Sequence, residues 1–219
     1  MIPVFEHADF FVFNKPAGAS FHSEDGAGFF AALAEQYPQE KLFPVHRLDK
    51  MTSGLLLVAR NKRAAQSFTQ LFDSHTVQKT YLALSDKKPS KKQGAVVGDM
   101  ARSRDGNWKL LRSRANPAIT AFTSHGLAPG LRLFILQPKT GRTHQLRVVM
   151  KALGSPILGD ARYGGTPADR GYLHAASLQF AWQGQTIHIN STPDSGEYFD
   201  RFAADIHCWS AQDCKIDAQ

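Results

Sequence analysis

The sequence predicts a strand-rich α+β chain, a mostly antiparallel mixed sheet with helices packed on it. Three observations carry this. Candidate strands outnumber candidate helices, and most of their links are short and hairpin-like, as at Asp105-Gly106 and Gln183-Gly184. Helical patterns interrupt the strands rather than alternating with them, which argues against a doubly wound parallel fold. The run Leu55 to Ala59 is apolar without polar alternation, so it reads as a strand buried on both faces.

Taken in order, Val4 to Glu6 and Phe10 to Asn14 read as short strands about a turn at His7 to Asp9. Lys15-Pro16-Ala17-Gly18 is a shaped loop, because Pro16 lacks a backbone donor and Gly18 permits a positive φ. Phe29 to Tyr37 reads as a short helix stopped by Pro38. Pro44 then precedes the stretch His46 to Arg60, in which Asp49 to Gly54 forms a polar turn at the mouth of the buried strand. Asn61 is a good N-cap for a helix to about Ser74, with Ala65, Phe68, Leu71 and Phe72 on its apolar face.

Gln78 to Ser85 is the next strand, with Thr80, Leu82 and Leu84 on one face and Lys79, Tyr81 and Ala83 on the other. Lys87 to Arg114 reads as hairpins and loops, with Ala101–Arg104 and Trp108–Leu111 flanking Asp105-Gly106. Ala118 to Ser124 and Leu131 to Gln137 are strands joined through His125-Gly126 and Pro129-Gly130. Thr140-Gly141-Arg142 opens the best helix, where Leu146, Val149, Met150 and Leu153 share one face. Thr143, Arg147 and Lys151 form a stripe beside that face, with His144 near it, and Gly154 and Pro156 end the helix. Gly159 to Gly165 is a turn-rich loop. Tyr172–Trp182 and Gln185–Asn190 form a hairpin, and Glu197 to Ile206 a final short helix. No composition shift marks a boundary, so one domain is expected over residues 1–207, with a polar tail over 208–219.

The net charge of +7 points to an acidic partner, nucleic acid being the commonest. Basic residues gather at Lys87, Lys88, Lys91, Lys92, Arg102, Arg104, Lys109, Arg112 and Arg114, which is either a solvated face or a phosphate-facing patch. No apolar run approaches the roughly 18 residues a membrane span needs. The N-terminal residues do not resemble a secretory signal, so a cytoplasmic protein with Cys208 and Cys214 reduced is expected. His207 beside Cys208 matches no usual zinc spacing, and no metal is expected. There is no G-x-G-x-x-G after a strand, no Walker loop, no G-x-S-x-G elbow and no zinc-deaminase signature.

What remains for chemistry is a lone carboxylate, arginines, a tyrosine and a basic surface. For Asp49, flanked by Arg47 and Lys50, two readings stand level. It is a reacting group on a rigid strand mount, or an ordinary turn residue bonding its own backbone. Tyr81 reads as a base-stacking ring on the face away from the leucines, or as ordinary strand packing. Arg147 reads as a cleft residue or as a surface arginine with its stem on apolar neighbours.

The stretch His46-Arg47-Leu48-Asp49-Lys50-Met51-Thr52-Ser53-Gly54 resembles the H-R-L-D-x-x-T-S-G motif of the RluA-type RNA pseudouridine synthases. Further segments follow in that family's order. Asn14 to Gly18 resembles its N-K-P-x-G loop, with His22 a little beyond, and Lys79-Thr80-Tyr81 its K-x-Y strand. Thr140 to Arg147 resembles its T-G-R-x-H-Q-L-R segment, continued by Pro156 to Asp160 and Tyr163. Leu173-His174-Ala175 and the strand of Phe180 resemble its closing hairpin. Val149 departs from the pattern by standing where the family usually has histidine, and a packing change is expected there.

The resemblance implies the pseudouridine synthase catalytic fold without an S4 domain, and isomerisation of uridine to pseudouridine in ribosomal or transfer RNA. No cofactor and no obligate protein partner are implied, and a monomer is the default. It implies Asp49 as the catalytic carboxylate, by attack at C1′, addition at C6 or a glycal route. Arg147 is then expected to pair with and orient Asp49, and Tyr81 to stack on the flipped base and assist proton removal at C5. Arg47 is expected to enter the space the base leaves. Lys15, Lys79, Arg142 and His144 are expected among the RNA contacts. The rivals are a non-catalytic RNA-binding or chaperone module on the same fold, and a nucleosidase that needs a second carboxylate, for which Asp160 is the distant candidate.

Overall fold

The computed structural model describes residues 1–21 and 28–213, with side chains through 208. His22, Cys214 and the end of the expected tail lie outside the described residues. In chain order the elements are β1 Phe5–Glu6, β2 Phe10–Lys15, α1 Phe29–Gln36, β3 Phe43–Pro44, β4 Ser53–Ala59 and α2 Lys62–Asp73. There follow β5 Gln78–Ser85, β6 Gln93–Gly98, β7 Met100–Arg102, β8 Trp108–Leu110, β9 Ala118–Ala128 and β10 Leu131–Pro138. The last are α3 Gln145–Ala152, β11 Leu173–Trp182, β12 Gln185–Asn190, α4 Glu197–Arg201 and α5 Ala203–Asp213.

The chain forms two compact units, each made of two separate stretches. One is Met1–Gln78 with Ala175–Ser191, and the other is Lys79–His174 with Thr192–Gln219. The sequence, which has no linker-like segment, was expected to form one domain over residues 1–207. The division into units assembled from separate stretches is one that no linker or composition break in the sequence marks.

In the first unit the strand order is β1-β2-β4-β11, with β12 beside β11 and β3 beside β4. β2 and β4 run antiparallel from Phe10 opposite Ala59 to Lys15 opposite Gly54. All seven residues of β4 are buried, as its unbroken apolar run predicts. One face of the sheet packs on α2, where Phe68 stacks on Trp182 at 4.3 Å and meets Phe10 edge-on at 5.2 Å. The other presents Phe11 and Phe13 to Tyr37, at 5.2 and 5.8 Å, just past α1. The Asn61 side chain caps α2 by accepting from the Ala64 N–H at 2.8 Å.

In the second unit the order is β5-β10-β9-β6, antiparallel throughout. β7 and β8 form a separate hairpin, in which Asp105 and Gly106 take φ of +56° and +69° as its turn requires. α3 packs against β8 and β9, and α5 against β10. Three expectations change here. β9 runs on to Ala128, since the reversal falls at Pro129-Gly130 alone, where Gly130 has φ +73°. α3 begins at Gln145 rather than Thr140, because His144 takes a left-handed φ of +57°. The closing segment is two helices, and the second continues through the polar residues to Asp213.

Candidate active site

Asp49 lies half-buried in the turn before β4, which the Thr52 N–H closes on the Asp49 carbonyl at 3.0 Å. Leu48, Thr52 and Ser53 are buried, while Arg47 and Lys50 are exposed. The turn is fixed from two sides. His46 accepts the Leu57 backbone N–H through Nε2 at 2.9 Å, and its ring stacks on Phe72 at 4.9 Å. It therefore braces the turn against β4 and α2. On the other side Lys15 ends β2 and is fully buried.

The Lys15 ammonium donates to the carbonyls of Pro16 at 2.9 Å, Ala19 at 2.8 Å and Lys50 at 3.4 Å. Gly18, at φ +82°, donates its N–H to the same Lys50 carbonyl at 2.8 Å. The Pro16–Ala19 loop thus wraps the ammonium and ties it to the residue after Asp49. Carbonyl dipoles compensate the buried cation. The expected contact of Lys15 with RNA is corrected: an enclosed ammonium cannot meet a phosphate, and this one anchors the turn.

At the start of β4, Gly54 has φ +105°, and a Cβ there would stand 2.3 Å from the Ala175 carbonyl oxygen. Only glycine lets β11 approach this closely at the point where the turn becomes strand.

The second unit carries Tyr81, Lys79, Arg142, His144 and Arg147. Tyr81 is half-buried on β5, opposite Leu136 of β10. Lys79 is buried, and desolvation pulls its pKa below the usual lysine range. Arg147, on the first turn of α3, is buried too. Its Nε and one terminal nitrogen each lie 2.7 Å from a different oxygen of Asp160, a bidentate pair. The Asp160 side chain is only 1% exposed, so its carboxylate is committed to Arg147 and has no access to act as a second acid.

The guanidinium lies 4.9 Å from the Tyr163 ring centroid. The Tyr163 hydroxyl bonds His144 Nδ1 at 2.8 Å and accepts the Trp108 backbone N–H at 3.0 Å. Burial, first among several influences, raises the pKa of this phenol. His144 and Arg147 are thus joined through Tyr163, and the β7–β8 hairpin is tied to them.

The segment before α3 is held by Gln145. Its Oε1 accepts from the Thr140 hydroxyl at 2.8 Å and the Arg142 N–H at 2.9 Å. Its Nε2 donates to the Ile119 carbonyl at 3.1 Å and the Thr120 hydroxyl at 2.9 Å. This side chain does for Thr140–His144 what helical hydrogen bonds would otherwise do, which is why the helix starts late. Arg142 is exposed and bonds Asn116 Oδ1. Val149 is 1% exposed on the apolar face of α3, the place its spacing predicts. All nine basic residues between Lys87 and Arg114 named above are exposed.

Sequence reasoning did not reach the roles of Lys15, Gln145, Asp160 or Tyr163. The last two stood in a motif, but nothing in the spacing says that a loop carboxylate binds Arg147. Among the described residues no cluster of histidine, cysteine and carboxylate side chains suits a metal ion. No helix among them is long and apolar enough to cross a membrane.

The sequence matches the family described as RNA pseudouridylate synthase over residues 9–152. It is 49% identical over 199 residues to an RNA pseudouridine synthase of Haemophilus influenzae, covering 90% of this chain and 89% of that one. It is 34% identical over 209 residues to the ribosomal large subunit pseudouridine synthase C of Rickettsia bellii, covering 90% of this chain and 69% of that one. Among solved structures, human RNA pseudouridylate synthase domain containing 1 superposes with a TM-score of 0.73 at 30% identity, covering 88% of this chain and 82% of that one. Human RNA pseudouridylate synthase domain containing 4 gives 0.70 at 26%, covering 90% and 89%.

Proposed function

The chain belongs to the RNA pseudouridylate synthase family, and on that premise we propose that Asp49 is the carboxylate that acts on a uridine of ribosomal or transfer RNA. The isomerase breaks the N1–C1′ bond, turns the uracil and joins C5 to C1′. The C5 proton is lost and N1 gains one, so atoms and electrons balance within the nucleotide. A carboxylate, a base and well-placed charges suffice.

The observation that carries this reading is the mounting of Asp49. A half-buried carboxylate stands on a turn held by a fully buried strand and a fully buried ammonium, an expensive arrangement for a mere surface loop. Arg147, its direction set by Asp160, orients the Asp49 carboxylate in the RNA complex. Tyr81 stacks on the flipped uracil and assists removal of the C5 proton. Arg47, exposed beside Asp49, takes the space the base leaves. Flipping costs a few kcal/mol. Phosphate contacts from the exposed basic run, with Arg142 and His144, offset that cost and make binding sensitive to salt, while Lys79, which is buried, is not counted among them. The enzyme works as a monomer in the cytoplasm.

Asp49→Asn tests the assignment. The amide keeps the shape and cannot serve as nucleophile or base, so pseudouridine formation falls on the order of 10³-fold or more, with fold and RNA affinity unchanged. The assay is mass-spectrometric pseudouridine mapping of ribosomal and transfer RNA from a strain carrying only the variant. Modification at the wild-type level overturns Asp49 as the reacting group.

A further inference from the structure

A cleft of about 420 Å³ opens beside the β7–β8 hairpin, lined by Asp99, Met100, Trp108, Ala115, Asn116, Gly141, Arg142 and Thr143. That volume lies within the range of small-ligand sites. Its walls are held in place. The Trp108 backbone is tied to the Tyr163 hydroxyl, and Arg142 is tied to Asn116. The Asp99 carboxylate is bonded by Ser113 and accepts the backbone N–H groups of Ala115 at 3.0 Å and Asn116 at 2.8 Å. These bonds and the nearby Arg142 charge hold its pKa low, so a phosphate on Arg142 has to share that guanidinium's field with Asp99. Gly141 leaves its stretch of wall bare, with no atom within 4 Å of where a Cβ would stand. The Arg102 guanidinium lies 5.8 Å from the Trp108 ring centroid, and Arg102, Lys109, Arg112 and Arg114, close in sequence to the cleft residues, are exposed.

A half-buried indole, an amide and an arginine in one cleft, with Arg102 beside the indole, match a single nucleotide better than any neutral metabolite. Stacking on the indole needs no particular base, and Arg142 suits a phosphate. We propose that this cleft is a second nucleotide subsite, in which one unpaired nucleotide of the substrate RNA stacks on Trp108 and sets its phosphate against Arg142. The proposal rests on the RNA substrate inferred above and adds where a nucleotide other than the reacting one is held. It also gives Tyr163 a second purpose, since the same hydroxyl that holds Trp108 bonds His144 beside Arg147.

The test is photocrosslinking of the full chain to a single-stranded deca-uridylate carrying 5-iodouridine at alternate positions. Ultraviolet light replaces the iodine at C5 by a bond to a stacked aromatic ring, with loss of hydrogen iodide. Tryptic digestion isolates Trp108 on the peptide Asp105–Lys109, and mass spectrometry is expected to find the adduct there. Crosslinks elsewhere but none on that peptide overturn the subsite while leaving the RNA reading intact. No crosslink anywhere overturns the subsite and counts against the RNA reading too.

Variants supply the independent arm. Trp108→Leu is expected to weaken binding of the oligonucleotide about tenfold with an unchanged salt slope, and Trp108→Phe to restore most of it. Arg142→Gln is expected to lower the salt slope by about one phosphate. Equal binding by wild type and Trp108→Leu overturns the proposal.

Discussion

Two buried cations do different work in the two units. Lys15 is fully buried against three backbone carbonyls, whereas Arg147 is buried against the formal charge of Asp160. The carbonyl nest fixes a backbone, since each acceptor belongs to the loop or turn that must be shaped. The bidentate pair fixes the direction of one side chain. The energetics differ as well. Removing Lys15 removes its desolvation cost along with its bonds and leaves neutral carbonyls short of one donor. Removing Asp160 leaves a buried guanidinium without its carboxylate, which is far costlier. The first device holds the turn that carries Asp49, and the second aims Arg147.

The sharpest way to break this contrast is Asp160→Ala. It is expected to destabilise the protein by about 3–5 kcal/mol, read from urea denaturation, and to remove activity. The double change Arg147→Met with Asp160→Leu replaces the pair by apolar side chains. It is expected to return stability to within about 1–2 kcal/mol of wild type and to leave the enzyme inactive. A loss below about 1 kcal/mol in Asp160→Ala would mean that the pair is solvated and aims nothing.

Lys15→Met comes next. The apolar replacement fills the site and forfeits the charge-assisted bonds to the Pro16, Ala19 and Lys50 carbonyls, for a net loss of about 1–3 kcal/mol. Because the Asp49 turn loosens, single-turnover pseudouridine formation is expected to fall about tenfold or more while RNA affinity stays near wild type. Equal losses of affinity and rate would make Lys15 an RNA contact after all.

How much of this was legible in the sequence depends on how far each signal reaches. β5 has the bounds its alternation predicts, and Asn61 caps α2 because Asx at an N-cap needs only a neighbour three residues on. The Asp49 turn and the strand behind it were readable for the same reason, being local. The late start of α3 was not, because Gln145 bonds β9 rather than its own helix. The anchoring role of Lys15 depends on a carbonyl 35 residues away, and the aim of Arg147 on a carboxylate 13 residues on. No periodicity records such contacts. The resemblance named Asp49, Tyr81 and Arg147, and the fold supplies the groups that hold Asp49 and Arg147.

The smallest expected effect separates two things that Tyr163 does in the second unit. Its ring faces the Arg147 guanidinium, and its hydroxyl holds His144 and the Trp108 backbone. Tyr163→Phe keeps the ring and deletes the hydroxyl, leaving the Trp108 N–H without that acceptor, at a cost of about 1 kcal/mol. The hairpin is then held less firmly, so RNA affinity is expected to fall about threefold while the single-turnover rate holds. Tyr163→Leu removes the ring face as well and is expected to lower the rate too, because the guanidinium loses its cation–π support. Burial pushes the Tyr163 phenol above its ordinary range, so it stays protonated through about pH 6 to 9. The pH–rate profile of Tyr163→Phe should therefore match that of wild type across that window. A profile that changes shape would make Tyr163 a proton carrier, and the aiming of Arg147 would no longer be a matter of position alone.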